Sequence, residues 1–232
     1  NGTLQEVGKG SHDSNNGFFL SIWSSSYSGI ARCNFLLDNI DKVKNIVSEQ
    51  LYNRVKAEAR FLRAYHYHYL VEMFGGVPVV TTSLKLDESQ VPRNTKEETV
   101  NFILTEMEAA AADLPPGYAA NESGRATKGA ALAIKARIAL YNEKWDVAAD
   151  AAKRVMDLNI YQLHPDFGEL STYKGQTSKE IIFALQYLKG IKTHNTPSQF
   201  FSRMASGFSG LVPGQSLIDS YECTDGQSTD RS

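Results

Sequence analysis

Two cysteines among 232 residues are too few to staple a fold, so a packed core and not a disulfide framework must hold this chain. Cys33 and Cys223 stand far apart in sequence, and Cys33 falls inside an apolar helical pattern, which predicts a buried free thiol and no bridge. Charge of one sign is lacking as well. Lys and Arg number 24 against 26 Asp and Glu, a formal net charge of -2, which gives no basic field of the kind that holds nucleic acid or anionic lipid. No apolar run reaches the length that spans a bilayer, and the opening residues, NGTLQEVGKG, lack the charged-then-apolar plan of a signal peptide. Also missing are a Gly-x-Ser-x-Gly elbow, a phosphate-binding glycine loop and clustered metal-ligand spacing. The sequence therefore points to no enzyme, no cofactor and no metal.

What is present is an ordinary globular composition, 42% apolar and 22% charged, arranged at helical period. Residues 1–17, rich in Gly, Ser and Asn, read as a loop. A first helix is predicted over Phe18 to Val43, with Trp23, Tyr27, Ile30, Asn34 and Leu37 on one side. A second is predicted over Ser48 to Phe74, capped by Ser48 and ended by Gly75 and Gly76, both expected at positive φ. Its run Glu58 to Val80 is apolar on nearly every side: Val55, Ala59, Leu62, His66, Tyr69 and Met73 form one stripe, and Ala57, Phe61, Ala64 and Val71 another. Such a helix is expected to be buried all round.

Thr95 and Glu98 form a capping box before a helix over Glu97 to Leu114, which Pro115 and Pro116 end. Thr127 caps an alanine-rich helix over Lys128 to Tyr141. The chain turns at Asn142 and Glu143 into a helix over Trp145 to Leu158, whose Trp145, Ala148, Ala149, Ala152 and Val155 are expected to pack back on its partner. This last pair is close to the length of a tetratricopeptide helix pair. Beyond Tyr161 the character changes. Glu180 to Leu188 reads as a buried strand or short helix, Gly190 to Gly214 as a long loop, and Ser216 to Tyr221 as a helical turn.

The alternation Tyr65, His66, Tyr67, His68, Tyr69 invites a metal reading that helical geometry opposes, because residues two apart point about 200° apart and cannot share an ion. Asn34 inside an apolar stripe must find a partner. Arg60 and Arg63 call for tertiary ion pairs, since Glu58 sits at the wrong spacing for either. Candidate ligand residues are aromatics beside amides or Arg, a combination suited to sugars, with rings stacking on apolar sugar faces and polar groups bonding hydroxyls. One group is Asn15, Asn16, Phe18, Phe19 and Trp23; the other is Gln199, Phe200, Phe201 and Arg203.

Several segments together resemble one family. SIWSSSYSGIARCNFLLDNI, EARFLRAYHYHYLVEMFGGVPVV, GRATKGAALAIKARIALYNEKWDVAADAAKRVMD, SKEIIFALQY and LVPGQSLIDSYECTDG occur here in the order seen in SusD/RagB-type proteins of Bacteroidetes. The resemblance implies an all-α scaffold of tetratricopeptide-like hairpins over residues 1–160, followed at 161–232 by the start of a loop-rich region that is expected to be truncated. It implies a non-enzymatic outer-membrane lipoprotein on the cell surface, held through a lipid anchor that lies outside this chain. Such a protein captures glycan or another nutrient for a SusC-like TonB-dependent transporter. A helical-repeat adaptor for other proteins, a binder of peptides or glycoprotein fragments, and a helical glycoside hydrolase are the alternatives. The family's glycan contacts lie outside the matched motifs, so the resemblance assigns no site residue.

Overall fold

The computed structural model describes residues 2–187, 190–193 and 214–221. The chain divides into two compact units, residues 3–185 and residues 1–2 with 186–232. In the second unit the described helix is Gln215–Asp219, within the span expected to be a helical turn. The larger unit is all-α, as the sequence predicts, and among the described residues there is no β-strand. Its helices are α1 (Gly2–Gly8), α2 (Gly17–Asn39), α3 (Glu49–Phe74), α4 (Lys96–Asp113), α5 (Lys128–Tyr141), α6 (Trp145–Asp157) and α7 (Phe167–Leu170). From α2 to α6 each helix packs on the next, giving a row of helical hairpins. No described helix is long and apolar enough to cross a membrane.

The helix ends follow the local chemistry. Ser48 accepts a bond from the Leu51 amide, Thr127 from the Ala130 amide, and Thr95 and Glu98 exchange bonds in a full capping box. The Gly-Gly that ends α3 has two separate causes. Gly75 adopts φ of 68° with ψ of -132°, a backbone region that essentially only glycine reaches. Gly76 has no positive φ; a Cβ there would stand 2.1 Å from the Asn94 carbonyl oxygen, so only glycine lets the entry to α4 pass so closely. Residues 1–17 are not all loop, since α1 forms there, and Glu6 accepts a bond from the Asn16 amide at the start of α2.

The core is built from Phe61, Tyr67, Leu70, Ile103, Met107 and Ile138, all fully buried, each contributing roughly 1.5–3 kcal/mol of burial free energy. Helix α3 is not buried all round. Ala57, Phe61, Ala64 and Val71 turn inward, whereas Leu62, Tyr69 and Met73 of the other stripe stay 42–46% exposed. On α6 Ala148 is buried and Val155 packs on the core, as expected, but Ala151 takes the other inward position while Ala149 and Ala152 are exposed and Trp145 is 60% exposed. Residues 180–187 form neither strand nor helix, yet Ile182 and Phe183 pack on the core, Phe183 with its ring 5.3 Å from that of Phe61. Cys33 is a buried free thiol, and Cys223 lies outside the described residues.

Between α3 and α4 runs an extended strap, residues 77–83, with no neighbouring strand to bond its polar backbone. Side chains from the helices take that role. The Asn34 amide donates to the carbonyls of Val80 and Thr82 at 3.0 and 3.1 Å, and its oxygen accepts from Arg63. The Tyr67 hydroxyl accepts from the Val80 amide at 2.7 Å and donates to its carbonyl, and the Tyr27 hydroxyl donates to Pro78 at 2.8 Å. Asp38 and Asn94 accept from the amides of Ser83 and Val79. Arg63 itself pairs with Glu106 of α4, the tertiary partner its position demands. Arg60 has no carboxylate partner among the described residues. Glu58 instead holds Arg125 at 2.7 Å.

Helices α4, α5 and α6 meet at Glu108, which accepts from both Arg154 terminal nitrogens at 2.9 Å and from Lys135. The Arg154 bonds, with help from Lys135, draw the Glu108 carboxyl from its ordinary 4.5 down to about 2. Because the folded value lies below the unfolded one, this stabilisation is present above pH 4.5 and is lost as the pH falls toward 2. Urea midpoints measured across that interval are expected to fall in the native protein and to fall less steeply in Glu108→Gln. Parallel pH curves for the two would overturn the assignment.

Candidate functional site

The start of α2 is fixed by Asn16, which is buried and whose side-chain oxygen accepts from the Phe18 amide at 3.0 Å while its nitrogen donates to Glu6. Just ahead, Asp13 accepts from the Asn15 amide at 2.9 Å, curling the loop before the helix. From this anchored start, Phe19, Trp23 and Tyr27 recur every four residues, so all three share one face of α2. The Trp23 ring lies 4.8 Å from that of Tyr27 and 5.1 Å, edge to face, from Phe74 at the end of α3. Phe19 stands 6.3 Å from Phe74, 5.4 Å from Phe18 and 5.0 Å from the His12 ring. Each separation is within aromatic contact range.

Phe19, Trp23 and Phe74 line a groove of about 660 Å³, to which the loop ahead of α2 adds His12, Asp13 and Ser14 and the segment before α4 adds Arg93. That volume is in the range of small-molecule sites. Burial and the nearby Tyr67 hydroxyl raise the Tyr27 hydroxyl well above its ordinary range, with the Arg93 charge acting in the opposite direction. The phenol therefore stays protonated as a donor to Pro78. A second concavity, about 550 Å³ around Arg54 and Tyr118, has its main charged and hydroxyl groups paired within the protein, though the buried Arg54 Nε has no partner among the described residues. Arg54 pairs with Glu122 at 3.2 Å, and the Tyr118 hydroxyl donates to the Ala126 carbonyl at 2.9 Å.

Of the residues expected to contact a ligand, Phe19 and Trp23 line the groove. Phe18 rests against Phe19, Asn15 is exposed on the preceding loop, and Asn16 serves as the helix cap. Gln199, Phe200, Phe201 and Arg203 lie outside the described residues. Sequence reasoning missed His12, Asp13, Phe74 and Arg93. The four-residue spacing of Phe19, Trp23 and Tyr27 was the available signal for the α2 face; nothing local marks Arg93, which reaches the groove only through the course of the strap.

The two histidines of the alternation are packed in different surroundings. The His66 ring lies across Gly29 of α2, and burial lowers its pKa. His68 is lowered by burial too, against the raising influence of Glu72 at 3.9 Å. Among the described residues, no three His, Cys, Asp or Glu side chains gather in a way that could hold a metal ion.

Residues 3–140 match the family model described as SusD-like, starch-binding associating with outer membrane. The chain belongs to the SusD-like family. A SusD-like protein of Formosa agariphila is 27% identical over 171 residues, which are 73% of this chain and 32% of that relative. The crystal structure of a SusD-like carbohydrate-binding protein from Bacteroides fragilis superposes with a TM-score of 0.86 at 34% identity, covering 94% of this chain and 42% of that one. A laminarin-binding SusD-like protein matches with a TM-score of 0.67 at 30% identity, over 70% of this chain and 36% of its own. This SusD-like chain thus spans less than half the length of each of these relatives.

Proposed function

We propose that the chain is part of a cell-surface glycan-binding protein of the outer membrane. It captures a poly- or oligosaccharide and passes it to a SusC-like TonB-dependent transporter, breaking no bond itself. The aromatic groove of Phe19, Trp23 and Phe74 is the observation that carries this reading. Flat rings packed edge to face present apolar surface for a sugar ring, while His12, Ser14, Asp13 and Arg93 stand beside them as hydroxyl partners. The family's association with the outer membrane and the carbohydrate binding named for the Bacteroides fragilis relative support it. A lipid anchor outside this chain is the proposed attachment.

Calorimetric screening of the full-length protein against a polysaccharide panel tests the reading. At least one neutral or acidic glycan is expected to bind, and Trp23→Ala to weaken it about tenfold or more. Because Trp23 also packs on the core, Phe19→Ala serves as the companion variant, with unfolding midpoints recorded for both. Silence across the panel, or undiminished binding by both variants, would overturn the assignment. Binding of peptides or glycoprotein fragments in place of sugars would redirect it.

A further inference from the structure

The groove carries two opposite charges that do not meet. Arg93 lines it from the segment before α4 and forms no ion pair among the described residues. Asp13 lines the groove from the loop ahead of α2, likewise without an ion pair. One of its oxygens accepts the Asn15 amide, and a carboxylate has further lone pairs for other donors. Two opposite charges that line one groove without pairing leave each one able to meet a different part of a ligand.

The chemistry of the three contacts is specific. A guanidinium presents a planar fork that matches a carboxylate with two parallel bonds. An aspartate accepts hydrogen bonds from hydroxyls and repels anions. The rings of Phe19, Trp23 and Phe74 line the same groove and offer apolar faces. A pyranose with a flat apolar face, free hydroxyls and a single carboxylate satisfies all three. A neutral sugar leaves the Arg93 fork without its anion, and a densely sulfated one brings negative charge to Asp13.

We propose that the groove selects an acidic glycan, with a uronic acid residue placing its carboxylate on Arg93, its hydroxyls on Asp13 and its ring face on the aromatics. The proposal rests on the reading of the groove as a glycan site and names the class of sugar it takes. The test is calorimetric titration of the full-length protein, and of Arg93→Gln, with a galacto-oligosaccharide ending in one galacturonate, the neutral galacto-oligosaccharide of the same length and a sulfated galactan oligosaccharide. A uronate is expected to bind about tenfold or more tighter than the neutral oligomer, and in Arg93→Gln that ratio should fall to about one. Asp13→Asn is expected to admit the sulfated oligomer more readily. Three results would overturn the uronate assignment while leaving a glycan site standing: equal affinity for acidic and neutral oligomers, a preference unchanged in Arg93→Gln, or strongest binding of the sulfated oligomer. Absence of binding by any sugar, including the neutral panel, would remove both readings together.

Discussion

Arg63→Met is expected to cost about 3–5 kcal/mol of folding stability, the range for breaking a buried ion pair from one side. Arg63 and Glu106 keep only 7% and 9% of their side-chain surfaces exposed. The guanidinium also donates to Asn34 and to the Thr81 carbonyl and lies over the Phe102 ring. Methionine preserves much of the stem packing but leaves the Glu106 carboxylate in the interior with no cation, and removes one partner of Asn34. The double variant Arg63→Met with Glu106→Leu should recover most of the loss, because replacing both charges removes the stranded one. Urea unfolding of the two variants checks this. A single variant that loses less than about 1 kcal/mol, or a double variant no better than the single, would show that the pair does not hold α3, α4 and the strap together.

Tyr67→Ala should be comparably severe. Tyr67 is fully buried, its ring meets those of Tyr27 and Phe102 edge to face, and its hydroxyl holds Val80 from both backbone groups. Truncating a large buried aromatic costs about 3–5 kcal/mol through lost transfer free energy and the cavity left behind. Tyr67→Phe separates the two contributions. It keeps the ring and leaves the Val80 amide without its acceptor, at a cost of about 1–3 kcal/mol. Thermal and urea unfolding of both variants should therefore rank native, Tyr67→Phe, Tyr67→Ala. Equal stability of native and Tyr67→Phe would mean that the hydroxyl does not anchor the strap.

How much of this was legible beforehand depended on the range of the interaction. Ser48, Thr95 with Glu98, and Thr127 were readable as caps because each acts within three residues of itself. The all-α class was readable for the same reason, through helical periodicity. Burial around α3 was not, because an apolar residue does not reveal whether a neighbour exists to cover it: Leu62, Tyr69 and Met73 look like core and remain exposed. On α6 alanine occupies both inward and outward positions, so its pattern could not fix which face turned in. Gly75 and Gly76 looked alike in sequence and differ in cause, one conformational and one a close approach of the chain some eighteen residues on. The site divided along the same line. Phe19 and Trp23 share a local spacing, while Phe74 and Arg93 join them only because a distant segment is carried back to the groove.

The strap that carries it is fastened at its two ends and plain between them. Val77 to Ser83 is gripped by α2, α3 and Asn94, Asn94 also donates its backbone amide to Val77, and α4 begins directly after. Between these fastenings residues 84–90 run over the surface with exposed side chains where described. Closing a longer loop costs only a fraction of a kcal/mol for each doubling in length. The excursion is therefore free to change in length and composition while Phe74 and Arg93, which the chain supplies before and after it, keep their places on the groove wall.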